Sequence, residues 1–302
     1  MSGSTPVVHA EGLVKQFGDT RALDGLDLSI DGGTVLGVLG PNGAGKTTAV
    51  RILTTLLQPD AGRAVIDGID VVADPRRVRM RIGLTGQYAA VDERLTAREN
   101  LELVGRFYRL GSSASVARAA ELLERFDLTD AADRVVKGFS GGMRRRIDIA
   151  MSLVAKPVVL FLDEPTTGLD PRSRLAMWEL IEELVADGMT TLLTTQYLDE
   201  ADRLADRVLV IDHGHAIAEG TPDQLKDRLG GSRAEIVLPD HSSTEHVLAA
   251  LGDRVSSTAG VAREGDLLVV PVRAGTTAPM LVRSLDGAGV QVHDLSVQRP
   301  SL

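Results

Sequence analysis

One stretch constrains the fold more than any other: Thr34-Val-Leu-Gly-Val-Leu39 followed by Gly40-Pro-Asn-Gly-Ala-Gly45-Lys46-Thr47-Thr48. A short, unbroken apolar run passes straight into a glycine-rich turn. Such a run suits a strand of a parallel sheet that is covered on both faces. A helix is expected after the turn, from Lys46 to Leu57. The turn matches the phosphate-loop pattern G-x-x-x-x-G-K-[ST]. Its glycines permit a tight turn and a close backbone approach, so several N–H groups can converge on an anion at a helix N-terminus. Lys46 is placed to reach the β- and γ-phosphates of a nucleotide, and the Thr47 hydroxyl to hold Mg²⁺, with Thr48 adding a second hydroxyl. Gly40, Pro41, Asn42, Gly43, Ala44 and Gly45 complete the candidate cradle.

The pattern around this segment predicts a doubly wound α/β domain. Val158-Val-Leu-Phe-Leu162 and Thr190-Thr-Leu-Leu-Thr194 read as two more buried strands. Between them Arg172 to Val185 reads as a helix, with Leu175, Trp178, Ile181, Leu184 and Val185 on one face. The first 30 residues look β-rich, with strands over Val7 to Phe17 and Leu26 to Ile30. From about residue 88 to 156 the texture is helical: Arg98 to Tyr108, Ser115 to Phe126, and a helix starting near Ser140. This stretch is expected to be a helical subdomain inserted in the α/β domain.

At roughly 150 residues per domain, 302 residues suggest two domains. The first is expected over 1–229 and the second, a small α+β unit, over 230–302. In the second, Ala234 to Leu238, Arg254 to Ser257, Leu267 to Val272 and Val290 to Val297 read as strands. Thr244 to Leu251 and Thr276 to Leu285 read as helices. The order βαββαβ suggests a ferredoxin-like unit.

Two further groups extend the chemistry. Asp163 and Glu164 follow the apolar strand 158–162. A carboxylate at a strand tip can bind Mg²⁺, directly or through water, and this is assigned to Asp163. Glu164 is the candidate general base for an attacking water. Ser140-Gly141-Gly142 lies about 20 residues before Asp163 at a helix start. It offers a hydroxyl and several unpaired N–H groups, a second anion cradle as well as an ordinary helix cap.

The phosphate loop, the Ser140-Gly-Gly turn and Leu162-Asp-Glu-Pro-Thr-Thr-Gly-Leu-Asp170, in that order, resemble the ATP-binding subunit of an ABC transporter. The resemblance spans about Val7 to Leu229. Phe139-Ser-Gly-Gly-Met-Arg-Arg-Arg-Ile-Asp148 and Leu192-Leu-Thr-Thr-Gln-Tyr-Leu-Asp-Glu-Ala-Asp202 narrow it to the drug-exporter branch typified by daunorubicin-resistance ATPases. It implies ATP and Mg²⁺ as cofactors, ATP hydrolysis, a homodimer, and a separate membrane permease that the chain meets on the cytoplasmic side. It places Phe17 where the family stacks an aromatic on adenine, although a core role is equally open to Phe17. Gln87 matches a loop that senses Mg²⁺ and water, and Asp170 a loop that crosses the dimer interface. Glu164, Lys46 and Gln196 are the implied catalytic group, and Thr47, Gln87 and Asp163 the implied metal group. The Ser140 cradle of one copy would close on nucleotide held by Lys46 of the other.

Two departures from the family pattern involve three positions. Phe139 and Met143 flank Ser140-Gly-Gly142 where the family usually has Leu and Gln. Gln196 stands where most of the family has a switch His, and it can hydrogen-bond but carries no charge. Arg144-Arg145-Arg146 reads as a solvated helix face, or as a contact for nucleotide charge or an acidic loop of the permease. Relatives of this branch continue past a Pro-Ser-Leu like Pro300-Ser301-Leu302 into an Asp-rich segment.

Composition sets the outer bounds. Thirty-three Lys and Arg against 42 Asp and Glu give a net charge of −9, which disfavours a nucleic-acid partner. There is no Cys, so disulfides and thiolate chemistry are excluded, and the six His show no metal-ligand spacing. No run of about 18 apolar residues is present, so the spanning helices must come from another chain. An importer ATPase, a soluble ABC protein acting on ribosomes or DNA, and a non-hydrolysing regulator remain as alternatives. The transported molecule cannot be read, because its contacts would lie in the permease.

Overall fold

The computed structural model describes residues 6–87, 90–228, 232–239, 243–258, 260–273 and 275–298. Tyr88, His241, the expected boundary at 229–230 and Pro300-Ser301-Leu302 lie outside them. Contacts divide the chain into two compact units, Met1–Glu219 and Gly220–Leu302.

The first unit opens with β1 (Val8–Phe17) and β2 (Thr20–Ile30), an antiparallel hairpin. The second strand starts six residues before the expected Leu26. Its extra length lacks a continuous apolar signal because only one face is covered: Leu23, Leu26, Leu28 and Ile30 are buried and their neighbours are not. Next come β3 (Val35–Leu39), buried at every position, and α1 (Lys46–Leu53). The helix stops four residues short of the expected Leu57. The Thr54 hydroxyl donates to the Val50 carbonyl, Thr55 turns left-handed at φ 65°, and the amides of Leu56 and Leu57 both fold back on the Arg51 carbonyl.

The chain then forms β4 (Ala61–Ile66), β5 (Ile69–Asp70), α2 (Pro75–Arg79) and β6 (Ile82–Thr85). Three helices follow without an intervening strand: α3 (Ala97–Phe107), α4 (Ser112–Arg125) and α5 (Gly141–Ser152). Thr96 and Glu99 form a reciprocal capping box on α3, and Ser140 caps α5. The unit continues with β7 (Val159–Asp163), α6 (Pro171–Ala186), β8 (Thr190–Thr195), α7 (Leu198–Leu204), β9 (Arg207–Asp212) and β10 (His215–Gly220). On α6 the covered face is Met177, Trp178, Leu180, Ile181 and Leu184, while Leu175 is 48% exposed. The expected stripe and the covered face share Trp178, Ile181 and Leu184, while Met177 and Leu180 are buried in place of Leu175 and Val185.

Strand order explains where a site can form. One sheet runs β2-β1-β4-β5 and the other β10-β9-β3-β8-β7-β6. In the second, β3 is parallel to β8 and β9, and β7 is parallel to β8 and β6. Parallel strands deliver all their C-terminal ends to the same side, which is where open α/β sheets hold ligands. The segments after β3, β6, β7 and β8 are Gly40–Thr47, Gly86–Gln87, Glu164–Asp170 and Gln196. They are the motif residues, brought together from over 150 positions of sequence. A shared core of Val8, Leu13, Leu36, Val38, Val50, Ile66, Phe161, Leu192 and Leu209 holds the two sheets and α1 in place.

The second unit holds α8 (Pro222–Arg228), β11 (Ser232–Val237), α9 (Thr244–Leu251), β12 (Ala262–Glu264), β13 (Leu267–Val272), α10 (Ala278–Gly287) and β14 (Asp294–Gln298). Its antiparallel sheet runs β12-β13-β11-β14 around Ile236, Val247, Leu251, Leu268, Val270 and Leu281. The expected strand at Arg254–Ser257 is corrected. Gly252–Arg254 is a short 3₁₀ turn, Val255 makes only a single bridge to Val272, and the partner strand is Ala262–Glu264. That strand is exposed throughout, so it carries no apolar signal. No described helix is long and apolar enough to cross a membrane.

Candidate functional site

The glycine-rich turn is shaped by close backbone packing. Gly45 sits at φ 112°, and a Cβ there would lie 2.5 Å from the Ala22 carbonyl oxygen. A Cβ on Gly40 would lie 2.3 Å from the Ile211 carbonyl oxygen. Only glycine fits either position. The turn directs Lys46 inward, where it is 4% exposed. Its Nζ donates to the carbonyls of Gly40 at 2.7 Å and Pro41 at 3.1 Å, and lies 3.3 Å from Glu164 Oε1.

Asp163 and Glu164 are tied to β8 through one side chain. The Thr194 hydroxyl donates to Asp163 Oδ1 at 2.6 Å and accepts from the Glu164 amide at 3.0 Å. The same amide also lies 3.1 Å from the Thr194 carbonyl. These bonds hold Glu164 in a left-handed conformation, φ 51°, which a non-glycine residue adopts only when its surroundings fix it. Thr47 Oγ1 donates to Asp163 Oδ1 at 3.2 Å, and Thr167 Oγ1 to Glu164 Oε2 at 3.3 Å. Thr47 and Asp163 are hard oxygen donors side by side at one end of the loop. Mg²⁺ commonly takes one or two protein oxygens of this kind with phosphate and water, so these residues fit it. Among the described residues no group of three or more His, Asp or Glu forms a cation cage.

An open cleft of about 830 Å³ collects Phe17, Asn42, Gly43, Gly45, Lys46, Thr47, Thr48, Gln87, Glu164 and Gln196, with Ala22, Thr167 and Gly168. Phe17 is 49% exposed at the end of β1, so it stands as cleft wall and not as core. Gly40, Pro41 and Ala44 shape the loop behind this lining, and Asp163 lies beneath it. Ser140, Gly142 and Asp170 are absent from the lining. Gly141 faces a second cleft of about 330 Å³, with Glu93, Arg144, Arg145, Pro165 and Leu169, and with Gln87, Thr167 and Gly168, which line both clefts. Ser140 Oγ accepts from the Met143 amide at 3.2 Å. Asp170 caps α6, accepting from the Ser173 amide and hydroxyl, and these bonds hold its carboxyl below the ordinary value.

Two buried groups escaped the sequence reading. Arg145 is 6% exposed, so the reading of residues 144–146 as one solvated face is corrected. Arg144 pairs with Glu93 and Arg146 with Asp127 at the surface, while Arg145 turns inward to Asp148. The Arg145–Asp148 spacing of three residues was the one available signal, since it puts both on the same helix face. Burial raises the Asp148 carboxyl, opposed by the Ala90 amide and Arg145. Burial also lowers Arg145, opposed first by Asp148, and the guanidinium stays charged. Glu200, fully buried, accepts at Oε1 from Thr166 Oγ1 at 2.7 Å and Trp178 Nε1 at 3.0 Å. Burial raises its carboxyl, opposed by Thr195, Thr166 and Trp178. Its sequence context, Leu198-Asp-Glu-Ala-Asp202, looks like ordinary surface helix and hides this burial.

The family model described as ABC transporter matches residues 23–167. The chain is 56% identical over 297 residues to daunorubicin resistance ATP-binding protein DrrA2 of Streptomyces coeruleorubidus, covering 98% of this chain and 92% of that one. It is 41% identical over 279 residues to Nod factor export ATP-binding protein I of Ralstonia nicotianae, covering 91% and 87%. Among solved structures it resembles the dimeric, post-hydrolysis ATP-binding cassette MJ0796 bound to ADP and Pi, with a TM-score of 0.64, 28% identity, and coverage of 71% of this chain and 98% of that chain.

Proposed function

From the premise that this chain belongs to the ABC transporter ATP-binding family, we propose a division of labour among its residues. The chain is the ATP-hydrolysing subunit of an ABC export complex. The observation that carries the residue assignment is the split between the two clefts. Lys46, Thr47, Gln87, Glu164 and Gln196 share one cleft, and the Ser140-Gly-Gly turn lies outside it. One chain thus holds a nucleotide half-site, and a second copy supplies the missing cradle.

In this reading the amides of residues 42–47 and Lys46 hold the phosphates, with Phe17 against the adenine face. Mg²⁺ is held by Thr47 and Asp163 with Gln87 beside them, and when bound it neutralises phosphate charge. Glu164 accepts the proton of the attacking water, held in its strained conformation by Thr194. Gln196 donates a neutral hydrogen bond toward the γ-phosphate. Ser140, Gly141 and Gly142 of one copy, with Asp170 at the interface, close on the nucleotide of the other. The contacts of the Ser140 cradle to the γ-phosphate exist only in the closed pair, so loss of that phosphate reopens the dimer.

The partner is a separate membrane permease, met on the cytoplasmic side of the membrane, and no nucleic acid is involved. The Gln87 loop and the helices over about 88–156 transmit closure to it. The exported class is a drug, antibiotic or lipid-like molecule. Residues 230–302 are assigned a ferredoxin-like topology.

Two measurements test the site assignment. Phosphate release should require Mg²⁺ and be abolished in Glu164→Gln. That variant should elute as a dimer with saturating Mg-ATP. An Mg-ATP-saturated variant that remains monomeric, both alone and with its permease, refutes the split site.

A further inference from the structure

The residue that ties the two clefts together is Arg145, on the helix that Ser140 caps. Arg145 is 6% exposed, and its guanidinium reaches three carbonyls on two backbone segments at once. Nη1 donates to the Gly86 carbonyl at 2.6 Å, directly before Gln87. Nε donates to the Pro165 carbonyl at 2.8 Å, and Nη2 to the Asp163 carbonyl at 3.3 Å, so the two bonds bracket Glu164. Nη1 also donates to Asp148 Oδ2 at 3.2 Å, one turn further along α5. Asp148, 3% exposed, uses its other oxygen, Oδ1, to accept from the Ala90 amide at 2.9 Å. The pair thus grips the Gln87 segment at residues 86 and 90 and the Glu164 segment at 163 and 165.

We propose that the Arg145–Asp148 pair is a positioning device that fixes Gln87 and Glu164 of one half-site to the Ser140 helix that serves the other. This deepens the proposed function and rests on it. The physical argument has three parts. First, both charges are buried, and a buried pair is tolerated only when its remaining donors and acceptors are satisfied. Here the spare donors of Arg145 and the spare oxygen of Asp148 are spent on backbone groups of the two catalytic segments. Second, the task needs a planar fork. A lysine ammonium on a flexible stem cannot span three carbonyls on two segments at fixed angles. Third, α5 begins at the Ser140 cradle, so any shift of that helix when a second copy docks is passed through Arg145 to both segments. Arg145 touches the Gly141 cleft, but neither Arg145 nor Asp148 lines the cleft that holds Lys46, so their loss should leave nucleotide binding by the single chain in place. A misplacement of about 1 Å at a reacting group costs up to about 100-fold in rate.

The test compares full-length wild type with Arg145→Lys, with Asp148→Asn, and with the double variant Arg145→Met, Asp148→Leu, which removes both charges together and leaves neither buried alone. Four quantities are measured with Mg-ATP: kcat, KM, affinity for a fluorescent ATP analogue, and hydrogen exchange over residues 86–90. For Arg145→Lys and the double variant we expect kcat to fall at least tenfold, KM and analogue affinity to stay within threefold, and exchange over 86–90 to quicken. Asp148→Asn keeps an oxygen for the Ala90 amide and should fall less than threefold in kcat. A folded Arg145→Lys protein with wild-type kcat overturns the proposal. So does a fall in kcat matched by an equal loss of analogue affinity, or one with exchange over 86–90 unchanged. If the double variant does not fold, the ranking of Arg145→Lys against Asp148→Asn decides: equal losses overturn the positioning role. Wild-type protein that never hydrolyses ATP, alone or with its permease, would instead overturn the functional reading itself.

Discussion

Replacing Glu164 by Gln should tighten nucleotide binding as it stops turnover. In this structure Lys46 Nζ lies 3.3 Å from Glu164 Oε1, with the two side chains 4% and 6% exposed. At that separation and an effective dielectric of about 20, the bare attraction is about 5 kcal/mol. Desolvation of both charges removes much of it, and a hydrogen bond to a charged group nets about 1.5–3 kcal/mol. Lys46 must relinquish this contact, along with bonds to the Gly40 and Pro41 carbonyls, before it can hold a phosphate. Gln keeps the shape and one acceptor but not the charge, so the competing bond falls to about 0.5–1.5 kcal/mol. The difference, roughly 1–1.5 kcal/mol, corresponds to about tenfold tighter binding. Loss of the general base lowers kcat by about 10²–10⁴-fold. Titration with a fluorescent ATP analogue and Mg²⁺ reads the first quantity, and phosphate release the second. A Gln variant that binds more weakly than wild type, or turns over within a few-fold of it, refutes the reasoning.

Three further outcomes are expected. Gly45→Ala should lose nucleotide binding and about 1–3 kcal/mol of stability, because its Cβ meets the Ala22 carbonyl at 2.5 Å and φ is 112°; denaturant unfolding and analogue titration check it. Ser140→Ala removes a helix cap worth about 1 kcal/mol, whereas Ser140→Trp in the Glu164→Gln background should still bind nucleotide yet not dimerise, as gel filtration will show. Glu200→Gln should gain stability relative to wild type as pH rises from 5 to 8. The folded Glu200 carboxyl lies above its unfolded value, so the folded state holds its proton more tightly. Wild type therefore loses this contribution as pH climbs from the unfolded value through the folded one, and a Gln side chain does not titrate. Urea midpoints of both proteins at the two pH values measure the difference, and equal shifts would count against the buried carboxyl.

The glycine-rich turn and the apolar strands around it were legible in the residues alone. These are local matters: an unbroken apolar run signals a strand covered on both faces, and Gly40 to Thr47 encode their turn by residue type alone. The sequence also marked α3, α4 and α5, the last with Ser140 as its cap. Strands with one open face, such as the start of β2 or Ala262–Glu264, left little trace, because an exposed position accepts almost any residue. Only the tertiary structure decided which charges are buried. Arg144, Arg145 and Arg146 are chemically identical in sequence, yet one binds three carbonyls on two backbone segments and the others pair at the surface. Glu200 is likewise indistinguishable from its exposed neighbour Asp199 until Thr166 and Trp178 close over it. The cost of burying a charge depends on the partners that meet it, and those partners come from distant parts of the chain.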